Sequence, residues 1–119
     1  MIIGTGVDIV EIERIHSMVE NHPQFIEKIL TVQEREKYYT LSRKRKIEFV
    51  AGRFAAKEAF VKAAGTGISA RFGWHDIEVL SEENGKPFIQ AEIDAVIHVS
   101  ISHSQSYAIS QVILERLSS

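Results

Sequence analysis

Glu58 stands where a carboxylate is least expected. With residues 43–64 drawn on a helical wheel at 100° per residue, Ile47, Val50, Ala51, Phe54 and Val61 fall on one apolar stripe. Glu58 falls in the middle of that stripe and Lys62 one step to its side. A carboxylate facing a core is costly unless a charge compensates it. One reading is an ordinary i,i+4 pair of Glu58 with Lys62 at the stripe's edge, worth about 0.2–0.5 kcal/mol on an exposed helix. The other is a metal ligand or general base held in a pocket by the helix. Arg53 and Lys57 lie on the adjoining flank, with Arg43 and Lys46 one to two turns earlier, so a phosphate-bearing ligand along this helix would meet several cations.

Asp8 is the second acid of interest. It follows Gly4 and Gly6 at the end of an expected strand, where it either caps the next helix or carries function in a loop. Two carboxylates from separate segments, with the remaining positions left to water and phosphate oxygens, commonly hold Mg²⁺. The chain has no tight D-x-D or H-x-x-x-H spacing. The third cluster is Ser100-Ile101-Ser102-His103-Ser104. His103 sits at a strand end entering a turn, either as a structural residue or as a donor to a phosphate. A Ser-His-Asp hydrolase is disfavoured, because no G-x-S-x-G elbow is present and Ser102 and His103 are adjacent.

The rest of the chain has to position these groups. Its 119 residues suit a single domain over 1–119, with 45% hydrophobic and 25% charged residues in ordinary globular proportion. Area scaling lets about two-thirds of the unfolded surface be buried, a modest core that a subunit interface would help. With no cysteine, disulfides, thiolate chemistry and cysteine-ligated metal sites are excluded. No apolar run approaches the roughly twenty residues a membrane-spanning helix needs. The opening MIIGTGVDIV has no basic leader, so it does not read as a secretory signal, and a cytoplasmic protein is expected. Residues 1–60 carry ten bases and nine acids, whereas 61–119 carry four bases and seven acids. The bases concentrate in Arg43-Lys44-Arg45-Lys46, which is either a solvated helix face or a surface for phosphates or an acidic partner. A nucleic-acid partner is disfavoured, since the pI is about 6.2 and no recognised motif or interleaved aromatics accompany the run.

The expected elements are a strand over 2–7, a helix around 9–20 capped by Asp8, and a break at Asn21-His22-Pro23. Thr31-Val32-Gln33-Glu34 has the capping-box pattern and opens a helix to about 39. Ser42 can cap the long helix 43–64, which stops at Gly65-Thr66-Gly67. Residues 76–80 and 87–91 read as a hairpin around Glu83-Asn84-Gly85-Lys86, and 96–102 with 107–114 as a second pair around Ser104-Gln105-Ser106. Helices first and antiparallel strands later, with one N-terminal strand to complete the sheet, predict an α+β fold: a small mixed or antiparallel sheet on one long and several short helices.

Read together, these segments resemble the bacterial holo-acyl-carrier-protein synthases of the 4′-phosphopantetheinyl transferase family. The resemblance rests on Gly6-Val7-Asp8-Ile9-Val10 followed by Arg14, then Arg53-Phe54-Ala55-Ala56-Lys57-Glu58-Ala59 with Lys62-Ala63 and Gly65-Thr66-Gly67. It continues through Gly85-Lys86-Pro87 and Ser100-Ile101-Ser102-His103-Ser104 with Tyr107-Ala108, covering essentially the whole chain. Ser110 departs from the pattern, where a small apolar residue would be expected, and puts local packing rather than chemistry in question.

The resemblance implies transfer of the phosphopantetheine arm of coenzyme A to a serine of apo-acyl carrier protein, with release of adenosine 3′,5′-bisphosphate. It implies Asp8 and Glu58 as ligands of Mg²⁺, and Glu58, directly or through a water, as the base for the serine hydroxyl. Lys62 would stabilise the leaving phosphate. Arg53 and His103, with Lys44 as a third cation, would take the adenosine 3′-phosphate. Gly65 to Gly67 and Asn84 would line the cofactor slot. Arg14 and Met18 match the family's carrier-docking helix, and Arg45 would extend that surface. The family's α+β subunits assemble as trimers with active sites between neighbours. The competing expectation is a non-enzymatic module for coenzyme A or a nucleotide, which would keep Arg53 and His103 but has no use for Glu58 in an apolar stripe.

Overall fold

The computed structural model describes residues 1–68 and 71–117. The chain runs β1 (Ile2–Glu11), α1 (Ile12–Asn21), α2 (Phe25–Ile29), α3 (Val32–Tyr38), α4 (Arg43–Ala64), a 3₁₀ turn (Trp74–Asp76), β2 (Glu78–Ser81), β3 (Pro87–Gln90), β4 (Val96–His103) and β5 (Tyr107–Glu115). Three strands form an antiparallel sheet in the order β1-β5-β4, and β2 and β3 form a separate hairpin. The architecture is the expected α+β arrangement.

α4 organises it. Ser42 occupies the N-cap position, though its side chain makes no capping hydrogen bond, and Gly65 ends the helix in the left-handed region at φ 79°. One face of α4 meets β1, β5 and β4, while other faces meet α1, α3 and β2. Val50, Ala51, Ala55, Ala56, Ala59, Phe60, Val61 and Ala63 are therefore buried around much of its circumference, not along a single stripe. The alanines matter because small side chains let backbones approach. β1 exploits this: a Cβ on Gly4 would lie 2.1 Å from the Ala63 carbonyl oxygen, and one on Gly6 2.1 Å from that of Ala59.

β1 is longer than expected, which corrects the role given to Asp8. Its ladder with β5 runs on through Asp8↔Ser110 to Glu11↔Tyr107, so Asp8 is a strand residue and not an N-cap. The N-cap of α1 is Glu11, without a side-chain hydrogen bond. The β-branched Val7, Ile9 and Val10 favour the strand, and the ladder they complete outweighs what one cap would contribute. The alternation also turns Gly4, Gly6, Asp8 and Val10 toward α4 and leaves Thr5, Val7, Ile9 and Glu11 exposed. The helix α2 was not anticipated; its five residues bury Phe25, Ile26 and Ile29 after the break at Pro23.

The remaining expectations hold with small shifts. The capping box at Thr31 and Glu34 forms. The first hairpin starts two residues later than the pattern suggested, because Asp76 ends the 3₁₀ turn. Gly85 turns it at φ 88° while the Asn84 side chain accepts the Lys86 amide at 3.0 Å. In β4, Val96, His98, Ser100 and Ser102 face solvent, and Ile97, Val99 and Ile101 pack inward. Ser110 is buried, and its hydroxyl is satisfied by donating to the Ser100 carbonyl at 2.9 Å.

Candidate functional site

The close approach of β1 to α4 delivers Asp8 to the helix. Gly4 lies over Ala63 and Gly6 over Ala59, so Asp8, the next residue on that face, comes to the neighbourhood of Glu58 and Lys62. The Lys62 ammonium donates to Asp8 Oδ1 at 3.0 Å and to the Val7 carbonyl at 3.1 Å. Lys62 thus pairs with Asp8 across two elements, which replaces the simple i,i+4 pair with Glu58 as its structural role. Glu58 is half-buried, and its carboxyl is pushed above the ordinary value. Burial is the main cause and the negative charge of Asp8 adds to it, while Lys62 and Arg14 pull the other way. Two carboxylates and two cations from β1, α4 and α1 therefore share one electrostatic neighbourhood.

That donor set fits Mg²⁺. Among the described residues no group of three or more His, Asp or Glu side chains could hold a metal by itself. Mg²⁺ does not need one, because it is usually held by one or two carboxylates, with substrate phosphates and water completing its octahedron. Two carboxylates that repel each other, one with its ionised form disfavoured by burial, would be stabilised by a divalent cation.

Arg53, about 7.5 Å back along the α4 axis from Glu58, belongs to a second group. A cavity of about 400 Å³ is lined in part by Arg45, Glu48, Arg53, Gly85 and His103. The Arg53 guanidinium stacks on the Phe49 ring at 4.0 Å and donates to Ser81 Oγ at 3.3 Å. Its Nε is buried with no hydrogen-bond partner. Burial pulls the Arg53 guanidinium down to about 10, against the opposing pull of Glu34. A guanidinium that lines a cavity, held in place by stacking and a hydrogen bond, suits a phosphate oxygen. Glu48 stands between Arg45 and His103, 3.8 Å from Arg45 Nε and 3.9 Å from His103 Nδ1.

The predicted residues thus divide. Asp8, Glu58, Lys62 and Arg14 are brought together, as are Arg53 and His103. Arg45 joins the Arg53 cavity, while Lys44 lines a different one with Arg43, Ile12 and His16. Met18 is half-buried against the core beneath α1. Asn84 shapes its turn, and Glu83 and Gly85 of that turn line the Arg53 cavity. Gly65 is exposed at the end of α4.

Lys57 is not a phosphate cation. It is fully buried, and its ammonium donates to the Ile29 carbonyl at 2.6 Å, Glu34 Oε1 at 2.7 Å and the Trp74 carbonyl at 2.9 Å. Burial lowers its basicity and Glu34 restores part of it. The wheel placed Lys57 on an outer flank because it could not show that α2, α3 and the 3₁₀ turn cover that side. The sequence signal for its partner was the capping box, in which Glu34 was read only as the start of a helix.

Comparison with known proteins points the same way. The family model described as the 4′-phosphopantetheinyl transferase superfamily matches residues 4–112. A holo-[acyl-carrier-protein] synthase of Halalkalibacterium halodurans is 72% identical over 119 residues, covering 100% of each chain. That of Bacillus subtilis is 54% identical, again over 100% of each. The crystal structure of the Bacillus anthracis holo-(acyl-carrier-protein) synthase, in complex with CoA (3′,5′-ADP), superposes with a TM-score of 0.94 at 47% identity over 98% of this chain and 99% of that one. The Helicobacter pylori synthase, in complex with coenzyme A, gives 0.83 at 30% identity over 93% and 99%. With the family model matched over residues 4–112 and relatives 72% and 54% identical over the full chain, this chain belongs to the holo-acyl-carrier-protein synthases of the 4′-phosphopantetheinyl transferase superfamily.

Proposed function

We propose that this synthase transfers the 4′-phosphopantetheine group of coenzyme A to a serine of apo-acyl carrier protein, with Mg²⁺, and releases adenosine 3′,5′-bisphosphate. The observation that carries the reading is the pair of carboxylates, Asp8 on β1 and Glu58 on α4, held together by the Gly4 and Gly6 contacts. A module that only bound a nucleotide would have no reason to keep a half-buried Glu58 beside Asp8.

The serine oxygen attacks the β-phosphorus of the coenzyme A diphosphate. The new P–O bond forms as the bond to the adenosine phosphate breaks, and the bisphosphate departs with that oxygen. Glu58, directly or through a water, takes the hydroxyl proton. Lys62 lies beside Asp8 and meets the negative charge that develops on the leaving phosphate. Mg²⁺ held by Asp8 and Glu58 would supply charge neutralisation on the diphosphate. Arg53 and His103 take the adenosine 3′-phosphate in their cavity, with Arg45 at its margin. Incubation with coenzyme A, Mg²⁺ and an apo-carrier, read as a mass gain of about one phosphopantetheine arm on the carrier, tests the reaction; no gain overturns it.

α1 offers the docking surface for an acidic carrier. Arg14 is exposed on α1 and acts electrostatically on Glu58, so a carrier bound there is delivered toward the carboxylates. Arg14→Glu is expected to raise KM for the carrier about tenfold, or about 1.4 kcal/mol, with KM for coenzyme A within twofold. Initial rates with each substrate varied check this, and equal losses would indicate a folding defect.

The outer face of the main sheet supports a homotrimer. Val7, Ile9, Tyr107 and Ile109 are 54%, 61%, 47% and 40% exposed, and Ile9 pairs directly with Ile109. An exposed apolar strip on a sheet face, with no helix over it among the described residues, is suited to burial against another subunit. Ile9→Asp is expected to shift the sedimentation mass from three chains to one. Among the described residues no helix is long and apolar enough to cross a membrane.

A further inference from the structure

The Lys57–Glu34 pair lies outside the reacting groups, and its wiring is unusual. Both side chains are buried, at 0% and 1% exposure. All three ammonium hydrogens of Lys57 are used, on α2's last residue, on Glu34 and on the 3₁₀ turn. The Glu34 carboxylate also accepts the Thr31 amide at 2.8 Å and the Val79 amide of β2 at 2.6 Å. Thr31 in turn donates its hydroxyl to Glu78, the first residue of β2. One ion pair therefore ties α2, α3, α4 and the 3₁₀ turn to the hairpin. Two residues beyond Val79, Ser81 accepts a hydrogen bond from Arg53, and Glu82, Glu83 and Gly85 continue into the wall of the cavity that Arg53 and His103 line.

Buried ion pairs are seldom the cheapest way to stabilise a fold, since apolar residues of similar volume often do as well. Their advantage is directional. An apolar contact would let β2 slide or tilt against α4, whereas Glu34 fixes the height of Val79 opposite Lys57. Lys57 also fixes the rotation of α4, with Arg53 one turn before it and Glu58 one residue after. We propose that Lys57 and Glu34 are positioning residues that hold the β2–β3 hairpin in register with α4 and so set the shape of the coenzyme-binding cavity. The inference rests on the coenzyme reading of that cavity.

The test compares the parent with Lys57→Met and with Lys57→Met/Glu34→Gln, all well below their Tm values. The second variant leaves no charge stranded in the core. Calorimetric titration with adenosine 3′,5′-bisphosphate reads the cavity directly, and steady-state rates give KM for each substrate. The expected result is at least a tenfold loss of nucleotide affinity and a matching rise in KM for coenzyme A, with KM for the carrier within twofold. A merely structural pair would lower Tm and leave these ratios alone. A folded variant with parental nucleotide affinity overturns this inference. A parent that fails to bind the nucleotide overturns the coenzyme reading and this inference with it. Should neither variant fold, amide exchange on the parent decides: nucleotide binding must slow exchange at Val79, because coupling between two sites is reciprocal, and unchanged exchange there overturns the proposal.

Discussion

Removal of either carboxylate should stop the enzyme without harming the fold. For Asp8→Ala and for Glu58→Gln the expected loss in kcat is at least ~10³-fold, equivalent to about 4 kcal/mol of transition-state stabilisation. The thermal response should run in the opposite sense to that of an ordinary core mutation for Glu58→Gln. A carboxyl whose folded pKa is raised holds its proton more tightly folded than unfolded, so its ionised form weakens the fold. That penalty is complete above the folded pKa and vanishes as the pH falls below the unfolded value. At neutral pH, Glu58→Gln should therefore unfold at the same temperature as the parent or higher. Carrier mass shift and calorimetry of the two proteins check both halves. Normal turnover would remove Asp8 and Glu58 from the site, and a large drop in Tm would show Glu58 to be structural.

The largest effect on stability is expected at Gly6. A Cβ there would stand 2.1 Å from the Ala59 carbonyl oxygen, 2.7 Å from the Ala63 amide nitrogen and 3.0 Å from Lys62 Cβ. Two of the three are α4 backbone, which cannot swing aside as a long side chain would. Gly6→Val has to lift β1 from the helix, at a cost of about 3 kcal/mol. For a domain of this size that corresponds to a fall in Tm of about 10 °C or more, or to no folded protein at all. Because Asp8 rides on the same strand, surviving Gly6→Val protein should lose activity at temperatures where it is still folded. Urea denaturation and the carrier assay on the same preparation measure the two effects. A parental Tm would mean that the strand and helix do not approach this closely.

Local signals in the sequence carried much of the fold. Gly65 marks the end of α4 because a left-handed residue was needed there, and Asn84-Gly85 marks the hairpin for the same reason. The alternation in β4 separates the faces correctly because each strand has one inward side. Asp8 was legible as an acid of interest but not as a strand residue, since cap and strand compete for the same stretch and the ladder partner Ser110 lies a hundred residues away. Lys57 was misread for a related reason. A wheel assigns directions around one helix but not the neighbours that fill them, and α4 is enclosed on more than one side. The grouping of Arg45 with Arg53 and of Lys44 apart from them depends on which loops reach the helix, and residue spacing does not encode that.

The pairing of β1 with β5 has a temporal meaning during synthesis. Met1 and Arg116 exchange hydrogen bonds at 3.0 and 2.8 Å, so β1 is held in place by β5, far along the chain. Until β5 has left the ribosome, the segment bearing Asp8 has no ladder to join. The strand that carries Asp8 is thus a late acquisition in folding, because its ladder waits on a contact between segments about a hundred residues apart.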